Sequence, residues 1–265
     1  MSRAELTATS LYHRSVVWLL FLILLLPLAG TLLYSLSSSW SATILPDGLT
    51  FKWYLALWSD ARFLAAFGRS LLVCCGALVL AVVLILPLLF VTHYYFPKLD
   101  GLMNLLILLP FAVPPVVSSV GLLQLYGSGP LAMVGTPWIL LGCYFTVALP
   151  FMYRAITNIL QAINLPDLMD AAHLLGASTW QAAWLVVLPN LRKGLMVSLF
   201  LSFSFLFGEF VFANLLVGTR YETLQVYLNN MRNSSGHFNS ALVISYFFFV
   251  LLFTWAANRL NKDPS

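Results

Sequence analysis

Six apolar runs, each long enough to cross a bilayer as a helix, constrain this chain more than any other feature. They fall at about 16–36, 69–91, 103–126, 137–157, 195–217 and 240–258. Roughly 20 apolar residues span the hydrocarbon layer as an α-helix, and within that layer only helices and closed barrels satisfy their own backbone hydrogen bonds. The runs therefore predict an all-α integral membrane protein with six transmembrane helices, residues 1–265 forming one transmembrane domain. Composition agrees. The chain is 61% hydrophobic and 8% charged, whereas soluble domains carry roughly 25% charged residues.

The first run is longer than a signal-peptide core and lacks a clear A-x-A site, so it reads as an uncleaved span. Cys74, Cys75 and Cys143 lie inside apolar runs and read as small buried residues. The net charge is +4. Its basic residues are scattered and form no stripe, which argues against nucleic acid as a partner. With both termini cytoplasmic, the inner side carries Arg3, Arg14, Lys98, Arg154, Arg192, Lys193, Arg259 and Lys262. The outer side then carries only Lys52, Arg62, Arg69, Arg220 and Arg232. This bias follows the positive-inside rule. It places segment 158–194 in the cytoplasm and 37–68 outside, where FKWYLALW reads as an interfacial helix.

Prolines are frequent in the spans. The third opens on LLPFAVPPVVSSVG, so its start is expected to be broken or bent. Two readings stay open: kinks that serve packing, or a discontinuous segment lining a pathway.

Segment 158–194 has the grammar of a helical elbow. Pro166 suits a first helical turn and Asp167 favours a helix N-terminus. The run DLMDAAHLL is followed by Gly176, placed for a left-handed stop. Ser178 and Gln181 then form the capping box of a second helix, and Pro189 ends or bends that helix. Ala171 and Ala172 leave the first helix flat, suited to a groove on another protein. Trp180 and Trp184 share a face at i, i+4 and could clamp the elbow to the membrane or to its own bundle.

The spacing Asp170-Ala171-Ala172, Gly176, Val186, Leu188-Pro189 resembles the EAA loop of permease subunits in bacterial binding-protein-dependent ABC importers. Asp170 replaces the pattern's Glu, and Val186 its Ile. Together with span count and loop position, this makes the chain similar to permeases of the polyamine, iron(III), thiamine, sulfate and 2-aminoethylphosphonate branch. The resemblance implies the MetI-like importer permease fold, with a cytoplasmic coupling helix that meets an ATPase. It implies a coupling role for Asp170, Ala171, Ala172, Gly176, Leu188 and Pro189. The implied partners are a second permease, homologous or identical, two ATPase subunits, a periplasmic solute-binding protein and membrane lipid, in the bacterial inner membrane.

No phosphate-cradling G-x-x-x-x-G-K-[ST] occurs, and no nucleophile–base motif or metal-ligand spacing. The chain therefore reads as a non-enzyme without a cofactor of its own, ATP and Mg²⁺ residing on the partner ATPase. Within the fifth run, helical spacing puts Ser198, Ser202 and Glu209 in one narrow arc. An acid inside a span is a functional candidate. Glu209 could line the translocation pathway and favour an amine, a polyamine or an aminophosphonate. It could instead be a buried, paired or protonated group. The alternative function is a proton-coupled secondary transporter that uses Glu209.

Overall fold

The computed structural model describes residues 3–41, 43 and 45–260. The described residues are helical, apart from loops and an isolated bridge between Ser37 and Leu49. In chain order the helices are α1 (Arg3–Leu36), α2 (Lys52–Ser59), α3 (Ala61–Tyr95), α4 (Asp100–Ala112), α5 (Pro115–Tyr126) and α6 (Pro137–Ala162). They continue with α7 (Leu165–Leu174), α8 (Thr179–Ala182), α9 (Leu188–Phe207), α10 (Leu224–Asn230) and α11 (Gly236–Leu260). Among the described residues, Tyr12–Leu36, Ala61–Tyr95, Pro137–Ala162, Thr179–Phe207 and Gly236–Ala256 are long and apolar enough to cross a membrane. The bent pair Pro97–Ala112 and Pro115–Tyr126 makes a sixth span if counted as one.

That third span is broken, though within its length and not at its start. α4 and α5 meet at 88°. A residue before proline is driven out of the helical region. Val113 and Pro114 both precede a proline, and both are extended, with ψ of 123° and 136°. Two successive extended residues turn the chain, and Pro115 restarts the helix at a position where its missing N–H costs nothing. Each half is about 20 Å long, too short to cross about 30 Å of hydrocarbon alone.

The chain divides into two compact units. The first holds residues 1–61 and 230–248. In it, α1 is exposed on nearly every side from Trp18 to Leu26, as a helix solvated by lipid is. Its far end is tied down by polar contacts. Trp53 Nε1 donates to Ser37 O at 2.9 Å, and the His237 ring stacks between Tyr34 (centroids 4.1 Å apart) and Trp53 (5.5 Å).

The second unit holds residues 62–229 and the chain from 249 onward. Its axis is the antiparallel pair α6 and α9. Gly194 faces Ile159 so closely that a Cβ at Gly194 would overlap the isoleucine side chain. Further along, Tyr144 Oη reaches Glu209 O. Phe203, Phe207, Phe249 and Phe253 pack into one aromatic cluster beside this pair. Cys74 and Cys143 are buried as expected. Cys75 is exposed, because the next residue on a helix points about 100° away.

Candidate functional site

The elbow forms from local chemistry. Asn164 takes a left-handed conformation (φ 45°) between α6 and α7, and its side-chain amide donates to the Asp167 carboxylate. On α7, Leu165, Met169 and Ala172 are buried, while Asp170 and Ala171 are exposed. Leu174 and Leu175 are 89% and 90% exposed. The expectation that both alanines flatten the outer face is corrected. Adjacent helical residues diverge by about 100°, so Ala171 faces out and Ala172 packs into the elbow. Gly176 closes α7 at φ +85°, a conformation in which any side chain would be strained. Its N–H donates to His173 O at 2.9 Å, and the N–H of Ala177 to Ala172 O at 3.1 Å. The capping box is present: Gln181 N–H donates to Ser178 Oγ (3.3 Å) and Ser178 N–H to Gln181 Oε1 (2.9 Å).

Pro189 does not end the helix it enters. Residues Ala183–Val187 form a π-helical turn in which Leu188 N–H donates to Ala183 O, five residues back. The buried positions step from Ala182 to Val187 by five, and then to Leu191 by four. The extra residue shifts the hydrogen-bond register ahead of Pro189, which has no N–H to offer. α8, the π turn and α9 thus run on as one helix, with Leu188 and Pro189 at the start of α9. Trp180 and Trp184 touch edge to face, centroids 5.4 Å apart. Both are exposed, so they do not clamp the elbow to its own bundle.

The pathway residues sit differently. Ser198 and Ser202 are buried; Ser198 Oγ donates to Leu195 O at 2.9 Å, and Ser202 Oγ has no hydrogen-bond partner among the described residues. Glu209 does not share their helix, because α9 ends at Phe207 and Gly208 caps it. The single polar arc is therefore corrected: it required an unbroken helix. Glu209 opens the next helical stretch, where its carboxylate accepts from Phe212 N–H (2.8 Å) and Ala213 N–H (3.2 Å). The carbonyls freed by the break are also engaged. Gln225 Nε2 donates to Phe207 O at 3.4 Å and Tyr144 Oη to Glu209 O at 3.5 Å. A second π turn, Ala213–Val217, follows, with Gly218 N–H bonded to Ala213 O. In hydrocarbon every such group needs a partner, so Glu209, Tyr144 and Gln225 together allow a break at that depth.

A cavity of about 560 Å³ opens between α4, α5 and α6, lined among others by Phe111, Val113, Ser118, Tyr126, Trp138 and Phe212. Of the two readings of the broken third span, the one that lines a cavity fits this geometry. Glu209, Ser198 and Ser202 are not in its lining.

At the end of this unit opposite the elbow, Arg62 grips Glu222 through two bonds (Nε to Oε2 2.8 Å, Nη2 to Oε1 2.7 Å) and lies over the Tyr227 ring. Glu222 is buried. Ser70 Oγ accepts from Leu224 N–H at 2.8 Å. Arg69 lies over Tyr221. Burial pushes the Tyr221 phenol above its ordinary value against the opposing pull of Arg69, so it stays neutral. Sequence reasoning missed this cluster, since partners 160 positions apart leave no periodic signal. Among the described residues no group of three or more His, Cys, Asp or Glu gathers that could hold a metal.

Residues 89–264 match the family model described as "Binding-protein-dependent transport system inner membrane component". The chain is 29% identical over 249 residues to the putative 2-aminoethylphosphonate transport system permease protein PhnV of Salmonella typhimurium, covering 94% of this chain and 92% of that protein. It is 33% identical over 180 residues to the sulfate transport system permease protein CysW of Escherichia coli K12, covering 62% and 61%. Its fold is similar to that of a chain in the crystal structure of a bacterial ABC transporter that imports the acidic polysaccharide alginate. The TM-score is 0.78 at 14% identity, with 99% of both chains covered. These similarities leave the proton-coupled alternative without support.

Proposed function

Because this chain belongs to the family of binding-protein-dependent transport system inner membrane components and is a multi-pass permease of an ABC importer, we propose that its elbow is the handle by which a separate ATPase drives it. The observation that carries this reading is the outward face of α7. Asp170, Ala171, Leu174 and Leu175 are exposed at the end of α7, which the Gly176 turn joins to the helix that runs on into the spanning segment α9. Movement of the elbow is thereby transmitted along the wall of the bundle.

In this reading both termini and the elbow are cytoplasmic, and the end bearing Arg62 and Arg220 faces the periplasm. Two ATPase subunits, which bind ATP and Mg²⁺, dock at the elbows of this chain and a second permease, homologous or identical. A solute-binding protein delivers solute at the outer segments, 37–68 and 218–239. ATP binding closes the ATPase pair and opens the permeases outward, and hydrolysis resets them. The solute is small and polar, and aminophosphonate-like by analogy with the PhnV relative. Glu209 supports an amine preference poorly, since its carboxylate is engaged by backbone N–H groups.

The test is a bulky residue on the handle. Ala171→Trp should reduce ATP-driven uptake by about tenfold or more, the scale of losing a central interface contact, while the protein still reaches the membrane. Modification of Ala171→Cys in intact cells by an impermeant thiol reagent would overturn the orientation and the coupling role together.

A further inference from the structure

The end of the second unit opposite the elbow carries Arg62, Arg69 and Arg220. The acid within contact there is Glu222, and Arg62 already holds it in a bidentate pair. Arg69 rests on the neutral Tyr221 ring, 5.6 Å from its centroid. Asp60, two positions before Arg62 in sequence, still leaves cations in excess. Arg220 is exposed, with no carboxylate partner among the described residues. Its side chain lies across the turn that precedes α6: a Cβ at Gly135 would stand 2.7 Å from Arg220 Cδ and 3.2 Å from Nη1. Gly135 N–H is bonded to Leu216 O at 2.9 Å, which fixes that turn against the segment leading to Arg220. Met133, in the same turn, and Trp138, just beyond it, line the cavity between α4, α5 and α6. The Arg220 side chain therefore stands over Gly135, between two lining residues in sequence, Met133 and Trp138, and the cavity's named lining itself carries no Asp, Glu, Lys or Arg.

An apolar wall with an unpaired cation beside it distinguishes solutes by charge at entry and holds them weakly thereafter. Low-dielectric walls concentrate the field of such a cation and raise the local concentration of the opposite charge. A planar guanidinium also matches the geometry of a phosphonate, sulfonate or sulfate oxygen pair. We propose that Arg220, with Arg69 held over the adjacent Tyr221, forms an anion-attracting mouth to the cavity that takes the oxyanion group of a small solute. The proposal rests on the permease reading and adds which part of the solute this chain meets first.

The experiment uses Thr219→Cys, next to Arg220, in a full-length chain with Cys74, Cys75 and Cys143 replaced by Ala, assembled with its ATPase. The probes are two methanethiosulfonate reagents of similar size, one carrying a sulfonate and one a trimethylammonium group. Each rate is normalised to that with a free thiol. In the purified complex at low salt the sulfonate reagent should react about tenfold faster, within the range for electrostatic focusing. The preference should collapse on Arg220→Gln, return on Arg220→Lys and fade at about 1 M salt. A ratio at or below one, or one unmoved by Arg220→Gln, overturns the proposal. So does an unmoved ratio accompanied by weaker stimulation of ATPase by the binding protein, because the arginine would then serve protein docking. Charge-selective labelling in the purified complex with none in intact cells leaves the anion mouth standing and sinks the orientation of the permease reading.

Discussion

Glu209 shows how residue chemistry can be legible and its role misread. An acid in an apolar run marks a special position, and the position is special: it is where the fifth span breaks. The carboxylate supplies acceptors to the N–H groups of Phe212 and Ala213, as an N-cap does. We predict that Glu209→Ala costs about 1–2 kcal/mol, the usual price of losing a cap, seen as a lower melting temperature of the detergent-solubilised protein. Glu209→Gln keeps one carbonyl acceptor and should lose less stability, with uptake following the same order. A Gln variant as stable as the parent but unable to transport would return the charge itself to the pathway. Ala172 carries a similar lesson. Its smallness is needed inside the elbow, at 5% exposure, while Ala171 and Asp170 face outward.

The decisive features at the level of elements are two π turns and one sharp bend. The start of α7 was readable from Pro166 and Asp167 in its first turn, and that of α8 because its capping box pairs side chains with backbone N–H groups three residues apart. The left-handed stop at Gly176 was readable for a similar reason, through the residue type that such a φ requires. The π turn before Pro189 was not. It depends on whether the register shift or a kink costs less, and the buried faces of Ala182, Val187 and Leu191 settle that through packing. Inserting one alanine after Val186, beyond the single extra residue that the π turn absorbs, should rotate the elbow by about 100° relative to α9. Uptake should be lost while membrane insertion, measured by immunoblot, is unchanged. Deleting Ser128 from the α5–α6 connection serves as the control, and equal loss in both would show that register at the elbow is not what matters.

Over the whole molecule, α6 sets the depth scale. Its 26 residues extend about 39 Å, so about 30 Å of hydrocarbon covers its middle. Tyr144 lies about 10 Å from its first residue, which puts the Glu209 break inside the apolar layer. Gly194, beside Ile159, lies near the opposite boundary. Trp184 is then about 15 Å beyond that boundary along the helix, farther out than the headgroup layer. The permease reading predicts that uptake requires the ATPase and persists when an uncoupler collapses the proton gradient. Transport that follows the gradient without the ATPase would sink it.

Span count, helical class, the elbow with its caps and the family resemblance were determined by the sequence alone, since each arises from residues within about 20 positions of one another. Which alanine faces outward, where the fifth span breaks, and how Arg62 finds Glu222 were decided only in the folded bundle. Those outcomes depend on contacts between helices far apart in the chain, where the need to partner every buried N–H and carbonyl selects among local conformations of nearly equal energy.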